Sequence, residues 1–321
     1  MGGEHDARAR REGVFALLAV QAAFGLSPLF ARWTLERAVG FAPRLLVAWR
    51  ILFGALALGG LAAWKHGRAA LPPRAELGRL VACSLLGITF NMWLYLEGVQ
   101  RTSVTHAGLL VTLIPVFTYG VACLARVERA APRRVLGIVV ALAGALTVAF
   151  ARAGASDVHG DTTGNLLIVV NGLSYAFYLV LARALLQRHP TLVVMAWVFA
   201  GALPALPFLW WGVPVWPAAP GTLVLTGFAY TLVFATLLAY VLNAFALARV
   251  PASTVAIFIY LQPLVAGTAG ALVLGERLSL AMALAAVVLL LGLGLVVFER
   301  RAAGTSDSIQ RRGGRVFHSR R

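Results

Sequence analysis

The sequence predicts an all-α integral membrane protein of ten transmembrane helices, built as an inverted repeat of five and five. An apolar composition, ten apolar segments of membrane-spanning length and an internal repeat predict it. Of the 321 residues, 60% are hydrophobic and only 12% are charged, and the mean hydropathy is +0.83. Soluble domains carry about 25% charged residues and cannot hide so much apolar surface. The composition therefore excludes soluble enzymes, disordered chains and secreted disulfide scaffolds.

Ten segments are long enough to span a membrane, since a helix needs about 20 apolar residues to cross the hydrocarbon core. The short connections between them hold most of the glycine, proline and charge. No connection is long enough to form a soluble domain, so we expect one membrane bundle. The segments are Val14–Thr34, Pro43–Trp64, Leu80–Val99, Ser103–Leu124, Val135–Ala151, Asn165–Leu186, Leu192–Trp211, Leu223–Leu247, Ala252–Leu274 and Leu280–Phe298.

The basic residues are unevenly distributed between the two sides of this bundle. If the N-terminus is cytoplasmic, 21 of the 28 Lys and Arg residues lie inside and 6 outside, with Arg50 within the membrane. This positive-inside bias predicts a multi-pass protein of the inner membrane with both termini in the cytoplasm. It also accounts for the net charge of +16, so no nucleic-acid partner is expected. The basic tail at 299–321 is expected to touch anionic lipid at most.

An internal repeat has an offset of 148 residues. Without a gap, the offset pairs Pro115 with Pro263 and Glu128-Arg129 with Glu276-Arg277. Because five spans are an odd number, the second copy enters the membrane from the opposite side, as in many secondary transporters. The predicted division is an N-terminal tail at 1–13, five-helix repeats at 14–151 and 163–298, and a basic cytoplasmic tail at 299–321.

These motifs resemble the EamA-like branch of the drug/metabolite transporter superfamily over Val14–Phe298. The resemblance implies a ten-helix bundle whose cavity is lined mainly by the third, fourth, eighth and ninth spans. It also implies the movement of small metabolites, often the export of amino acids or related compounds. In the first copy Val127 stands where the second has Gly275. The residues that carry the resemblance are Thr102–Leu110, Pro115 and Glu128-Arg129, and in the second copy Pro251–Ile257, Pro263 and Gly275–Arg277.

Polar side chains within spans are costly in lipid and usually face the bundle interior. We expect them to line a mostly apolar cavity with hydrogen-bonding edges, which suits a small amphipathic solute. The structural alternative is an interfacial anchor for each tyrosine and a helix-to-helix hydrogen bond for each Asn or Thr. The expected substrate-binding residues are Asn91, Tyr95, Thr112, Tyr119, Asn171, Tyr175, Tyr240, Asn243, Tyr260, Gln262 and Arg50.

Arg50 lies about seven residues into the second span, roughly 10 Å deep at 1.5 Å per residue. A guanidinium at that depth needs a partner. Three partners are open from the sequence: a substrate carboxylate, the carboxylate of Glu97, or water reached by snorkelling outward. The repeat equivalent is Val198, so the repeat does not require a charge there.

Two further features bear on movement and on coupling. Pro115 and Pro263 lie within spans, where each removes a backbone hydrogen bond, and we expect paired kinks that shape the cavity and allow the halves to rock. A kink that serves packing alone is the alternative. Glu97 and His106 are the candidates for proton coupling, while uniport or exchange fits the residue inventory equally well.

No nucleophile–base pair, metal-ligand cluster or cofactor motif is apparent in the sequence, so we expect no enzyme activity, metal or cofactor. The expected function is a secondary transporter of a small-molecule substrate, with membrane lipid as its other partner. An integral-membrane enzyme or a non-transporting scaffold is the alternative. Both halves lie in one chain, so a monomer suffices, and a monomer or weak homodimer is expected.

Overall fold

The computed structural model describes residues 2–35, 39–67, 71–101, 110–152, 162–265, 268 and 280–297. Within these residues the regular elements are all helical. The predicted all-α fold is confirmed. The helices are α1 Gly2–Thr34, α2 Pro43–His66, α3 Arg74–Arg101, α4 Ile114–Leu124, α5 Pro132–Arg152, α6 Thr162–Leu186, α7 Thr191–Trp210, α8 Thr222–Leu247, α9 Ala252–Val265 and α10 Leu280–Val297.

Six of these helices, α1, α2, α3, α6, α7 and α8, contain an apolar stretch long enough to cross a membrane. The helix boundaries follow local chemistry. Pro43 opens α2, at a position where its missing N–H removes no intrahelical bond. Gly67, with a φ of 54°, ends α2 in a conformation that favours glycine. The chain is therefore a multi-pass membrane protein.

Some boundaries differ from the sequence prediction. α1 begins at Gly2 rather than Val14, and an ion pair between Arg8 and Glu12 bridges one turn of this polar extension. The described part of the fourth span becomes regular helix at Ile114, and the stretch 102–109 lies outside the described residues. The seventh span is broken between Ala200 and Leu206 by a turn and a short 3-10 segment.

Packing between the helices follows the repeat. α3 packs on α6, and the equivalent pair α8 and α1 packs in the same way. α2 packs on α7, α4 on α9 and α5 on α10, so each of these helices meets its own repeat counterpart. A pseudo-two-fold axis between the halves produces such self-paired contacts, as an inverted repeat requires.

Two stretches of π-helix occupy equivalent positions in the two copies. Leu85–Thr89 interrupts α3 and Val233–Leu238 interrupts α8, and the offset of 148 residues relates their starting points. A π turn widens the helix and leaves carbonyl groups available to side chains of other helices. The two widened turns place such carbonyls on helices from both halves of the bundle.

The prolines of the repeat also adjoin irregular backbone. A turn at residues 112–113 precedes α4, and Pro115 lies in the first turn of that helix. In the second copy the 3-10 segment Phe258–Leu261 precedes Pro263. The regular α-helix is therefore interrupted before each proline, in equivalent stretches of the two copies.

α5 and α10 approach closely because small residues face each other across their interface. A Cβ on Gly137 would press against Val296 and the Gly292 carbonyl, and a Cβ on Gly292 would overlap the backbone of Ala141. Small residues allow such close contact between membrane helices. This interface joins the last helix of each copy.

One end of the bundle, where α1, α3 and α5 begin, is fastened by acidic residues; we call it the charged end. Glu76 is buried and pairs with Arg79 at 3.1 Å and Arg188 at 2.8 Å, which joins α3 to the end of α6. Glu128 pairs with Arg134 and accepts hydrogen bonds from both the backbone N–H and the hydroxyl of Ser253 at the start of α9. These contacts connect the two halves.

Candidate functional site

Arg50 lies inside the bundle on α2, with only 8% of its surface exposed. Its Nε donates to Thr236 Oγ1 at 2.8 Å, and a terminal NH₂ donates to the Ala235 carbonyl at 3.2 Å. Both acceptors belong to the π segment of α8. The Thr236 hydroxyl in turn donates to the Thr231 carbonyl at 2.7 Å, five residues back, as the π turn permits.

Among the described residues, no carboxylate pairs with Arg50. The carboxylate of Glu97, one of the partners considered from the sequence, instead approaches Arg101 at 3.5 Å near the end of α3. The phenols of Tyr95 and Tyr240 are close enough to interact electrostatically with the Arg50 guanidinium. Arg50 is thus a buried cation surrounded by neutral polar groups.

Amide and phenol groups from α3, α6 and α8 form hydrogen bonds with one another beside Tyr240. The Tyr240 hydroxyl lies 3.4 Å from Asn91 Oδ1. Asn171 Nδ2 donates to the Asn91 carbonyl at 2.6 Å, and Asn243 Nδ2 donates to the Tyr175 hydroxyl at 2.9 Å. These bonds cross between the first and second copies or between helices of the second.

Aromatic rings enclose the same region. Tyr240 meets Phe24 and Phe199 edge-on, at centroid distances of 6.1 and 5.5 Å. Tyr175 stacks on Tyr178 at 5.6 Å. The site therefore combines hydrogen-bonding groups with aromatic side chains, a composition typical of sites for small amphipathic molecules.

We call this group the central cluster. Its members come from α2 and α3 of the first copy and from α6 and α8 of the second, so it lies between the halves. Asn91, Tyr95 and Tyr175 are half-buried, and the others are buried. The cluster consists of Arg50, Asn91, Tyr95, Asn171, Tyr175, Thr236, Tyr240 and Asn243.

The structure places the remaining predicted binding residues, from the fourth and ninth spans, outside this cluster. The Tyr119 hydroxyl accepts a 2.8 Å hydrogen bond from the Ala131 N–H in the connection before α5. Gln262 Nε2 donates to Gln21 Oε1 of α1 at 2.9 Å. Tyr260 and Thr112, which are repeat equivalents, are fully buried in the irregular stretches before the two prolines. We therefore leave these four residues out of the central cluster.

Of the two candidates for coupling, Glu97 lies near the end of α3, outside the central cluster. His106 lies outside the described residues. No group of three or more His, Cys, Asp or Glu side chains is arranged to hold a metal ion within the described chain.

Sequence reasoning missed Thr236, the partner of Arg50. Its span also contains Thr226 and Thr231, and its repeat equivalent is Ile88, so nothing in the sequence distinguished Thr236 from the other two threonines. It also missed Gln21, which pairs with Gln262, and Ser174, whose hydroxyl donates to the Leu86 carbonyl at 2.8 Å. That carbonyl belongs to the π segment of α3, and π turns have no simple sequence signature.

Comparisons with known proteins identify a family and several relatives of this chain. The pattern of the EamA-like transporter family matches residues 11–150 and again residues 162–298. An uncharacterized transporter of Archaeoglobus fulgidus is 25% identical over 80% of this chain and 89% of its own. The uncharacterized transporter YdfC of Bacillus subtilis is 28% identical over 78% of this chain and 80% of its own. The WAT1-related protein At3g18200 of Arabidopsis thaliana is 25% identical over 92% of this chain and 85% of its own.

A solved crystal structure shares the fold, with a TM-score of 0.69 at 23% identity. The match covers 90% of this chain and 97% of the solved one. At that level of identity the likeness concerns the fold alone.

Proposed function

Because the chain belongs to the EamA-like transporter family, we propose that it is a secondary transporter that exports a small amphipathic metabolite bearing a carboxylate, an amino acid or a related compound. The solute binds at the central cluster. The two halves then expose that cluster to one side of the membrane and to the other in turn.

The observation that carries the proposal is the state of Arg50. A guanidinium has five N–H donors, and Thr236 and Ala235 use two of them. The other three have no partner among the described residues. A buried charge without a counter-charge is costly, and a bidentate carboxylate supplies both the missing charge and two strong hydrogen bonds.

The rest of the cluster supports a solute with a polar end and an apolar body. The amides of Asn91, Asn171 and Asn243 offer acceptors as well as donors, which fit an ammonium or hydroxyl group. The rings of Phe24 and Phe199 offer apolar surface beside them. An amino acid or a related compound has this distribution of groups.

Alternating access is supported by where the cluster lies. Its side chains come from both copies of the repeat, so any rocking of one half against the other changes which end of the cluster is open. We propose that the charged end faces the cytoplasm, since the basic residues concentrate there, and that both termini lie on that side of the inner membrane. A monomer or weak homodimer suffices because one chain contains both halves.

The experiment is efflux from proteoliposomes loaded with a mixed metabolite pool and read by mass spectrometry, with and without a pH gradient. The expected result is selective loss of a few carboxylate solutes relative to protein-free vesicles. Dependence on the gradient would assign coupling to Glu97 or His106, and independence would assign uniport or exchange. If folded protein releases no pool member selectively, the proposed function is wrong.

The role of Arg50 is tested with Arg50→Gln and Arg50→Lys. Loss of a charge-assisted pair is worth about 1.5–3 kcal/mol, so Arg50→Gln is expected to raise the KM for the carboxylate solute roughly 10- to 100-fold. The methyl ester of the same solute, if carried, should be unaffected. Arg50→Lys keeps the charge without the planar fork and should fall between.

A purely structural role for Arg50 predicts different results. In that case Arg50→Gln would lower the melting temperature and would reduce transport of acid and ester alike. Because the described residues hold no counter-charge for Arg50, we expect the melting temperature of the Arg50→Gln variant to equal or exceed that of the wild type.

A further inference from the structure

A cleft of about 370 Å³ opens where α3 ends, at the opposite end of the bundle from the charged end. Arg44 of α2 and Glu97 and Arg101 of α3 supply its charges. Trp93, Thr163 and Phe208 form other parts of its wall. None of these residues belongs to the central cluster.

The cleft lies on the lipid-facing side of the bundle. One face of α3 is defined by residues spaced three or four apart: Phe90, Leu94, Glu97 and Arg101. Phe90 on that face is 41% exposed although it lies within a membrane helix.

The neighbouring helices continue this surface. Leu166 on α6 and Phe208 at the end of α7 are 61% and 57% exposed. Exposed apolar side chains on membrane helices contact acyl chains. The cleft is therefore continuous with surface that lipid covers.

The two arginines of the cleft are only weakly engaged by protein groups. An Arg44 terminal nitrogen lies 3.5 Å from the Trp211 carbonyl, and Arg101 lies 3.5 Å from Glu97. Both distances are at the limit of a hydrogen bond, and each guanidinium keeps further donors. With one carboxylate against two guanidinium groups, the lining carries a net charge of about +1.

We propose that this cleft binds the phosphodiester of an anionic phospholipid, held between Arg44 and Arg101, with its acyl chains along the exposed faces of α3 and α6. The charge selects the ligand: an anionic headgroup neutralises the lining, whereas a zwitterionic one leaves the extra positive charge unbalanced. Tryptophans such as Trp93 and Trp211 are enriched at the depth of lipid headgroups. The Nε1 of Trp93 is buried without a hydrogen-bond partner among the described residues. This site does not depend on the identity of the transported solute.

The test is native mass spectrometry of the purified full-length protein from nanodiscs with equal amounts of phosphatidylglycerol and phosphatidylethanolamine. The wild type should retain phosphatidylglycerol preferentially. Each of Arg44→Gln and Arg101→Gln should lower that retention about five-fold, since a basic residue at a lipid surface contributes about that factor. Arg8→Gln removes the same charge from the polar start of α1 and should leave retention unchanged.

One further variant should change lipid retention in the opposite direction, which also distinguishes lost binding from misfolding of an arginine variant. Glu97→Gln removes the competing carboxylate and should increase phosphatidylglycerol retention. Equal retention of both lipids by the wild type would overturn the proposal, as would unchanged retention in both arginine variants. Displacement of the lipid by inorganic phosphate or by the transported solute would assign the cleft to a soluble anion instead and would also overturn it.

Discussion

Thr236 determines how Arg50 is presented. The Thr236 hydroxyl accepts a hydrogen bond from Arg50 Nε and donates one to the Thr231 carbonyl. A bidentate carboxylate can bind the two terminal nitrogens of a guanidinium and so does not require Nε. The bond from Arg50 Nε to Thr236 thus fixes the plane of the guanidinium, while the terminal nitrogens of Arg50 keep free donors. A preorganised cation loses less conformational entropy when the solute binds.

We expect Thr236→Val, which keeps the shape and removes the hydroxyl, to raise the transport KM several-fold with little change in maximal rate. Thr236→Ser restores the hydroxyl and should restore the KM. Concentration-dependent efflux of the solute found in the proteoliposome screen measures both. If Thr236 acts through Arg50, the double variant Thr236→Val/Arg50→Gln should be no worse than Arg50→Gln alone. Additive losses would show an independent role.

Among the helices, we propose the paired π segments of α3 and α8 as a second candidate for the hinge, beside the prolines. The segments at Leu85–Thr89 and Val233–Leu238 expose carbonyls that bind other helices: Leu86 accepts from Ser174, and Ala235 accepts from Arg50. The proposed solute site at Arg50 therefore adjoins a contact that holds α8 in its present shape. Pro115 lies in the first turn of a regular stretch of helix, after a turn at residues 112–113, and its role in movement remains a prediction.

Substituting a glycine within the π segment of α3 tests how tightly this segment is packed. A Cβ on Gly87 would overlap the ring of Tyr178 on α6. Gly87→Ala should therefore lower the free energy of unfolding by about 1–3 kcal/mol, the usual cost of overpacking. The matched control is Gly59→Ala in α2, where a Cβ meets nothing within 4 Å. There the higher helix propensity of alanine should raise the free energy of unfolding by at most about 1 kcal/mol.

Thermal unfolding of the purified protein in detergent measures both glycine variants. Equal melting temperatures for the two would show that the contact between α3 and α6 is loose enough to absorb a methyl group.

Contacts between the two halves join them at the charged end of the bundle. Glu128 is the centre of one such contact, since it binds Arg134 beside it and caps the start of α9 through Ser253. The repeat equivalents of Glu128 and Ser253 are Glu276 and Thr105. Those two residues lie outside the described part of the chain.

We expect Glu128→Gln to lower the free energy of unfolding by about 3 kcal/mol, because it breaks a largely buried ion pair with Arg134 and removes the charge that caps the start of α9. The control is Glu12→Gln at the same end, where Glu12 is 44% exposed and pairs with the 81% exposed Arg8 and, at 3.7 Å, with the 27% exposed Arg249. Exposed pairs contribute about 0–1 kcal/mol, so its effect should be small. Denaturant unfolding measures both variants, and an equal decrease in the free energy of unfolding would contradict the role of Glu128 in joining the halves.

Much of the fold followed from the order of the residues. Lipid solvates the outside of the bundle, so every span must be apolar and helical, and hydropathy and length reveal both. The repeat was readable because two copies of one fold keep prolines, glycines and charged pairs at one offset. The expected involvement of Asn91, Tyr95, Tyr175, Tyr240 and Asn243 followed from the cost of polar groups in lipid, but that cost does not say which neighbour each one meets.

The tertiary structure supplied the partners. Arg50 is bound by Thr236 and Ala235, 185 residues or more away along the chain, and Glu97 turns instead toward Arg101. Hydrogen bonds require particular distances and angles that depend on helix rotation and on widened turns, and neither leaves a periodic trace in the sequence. For this reason the sequence determined the apolar helical spans and the repeat that relates them, while the packing of the helices and the arrangement of donors around Arg50 had to be read from the packed bundle.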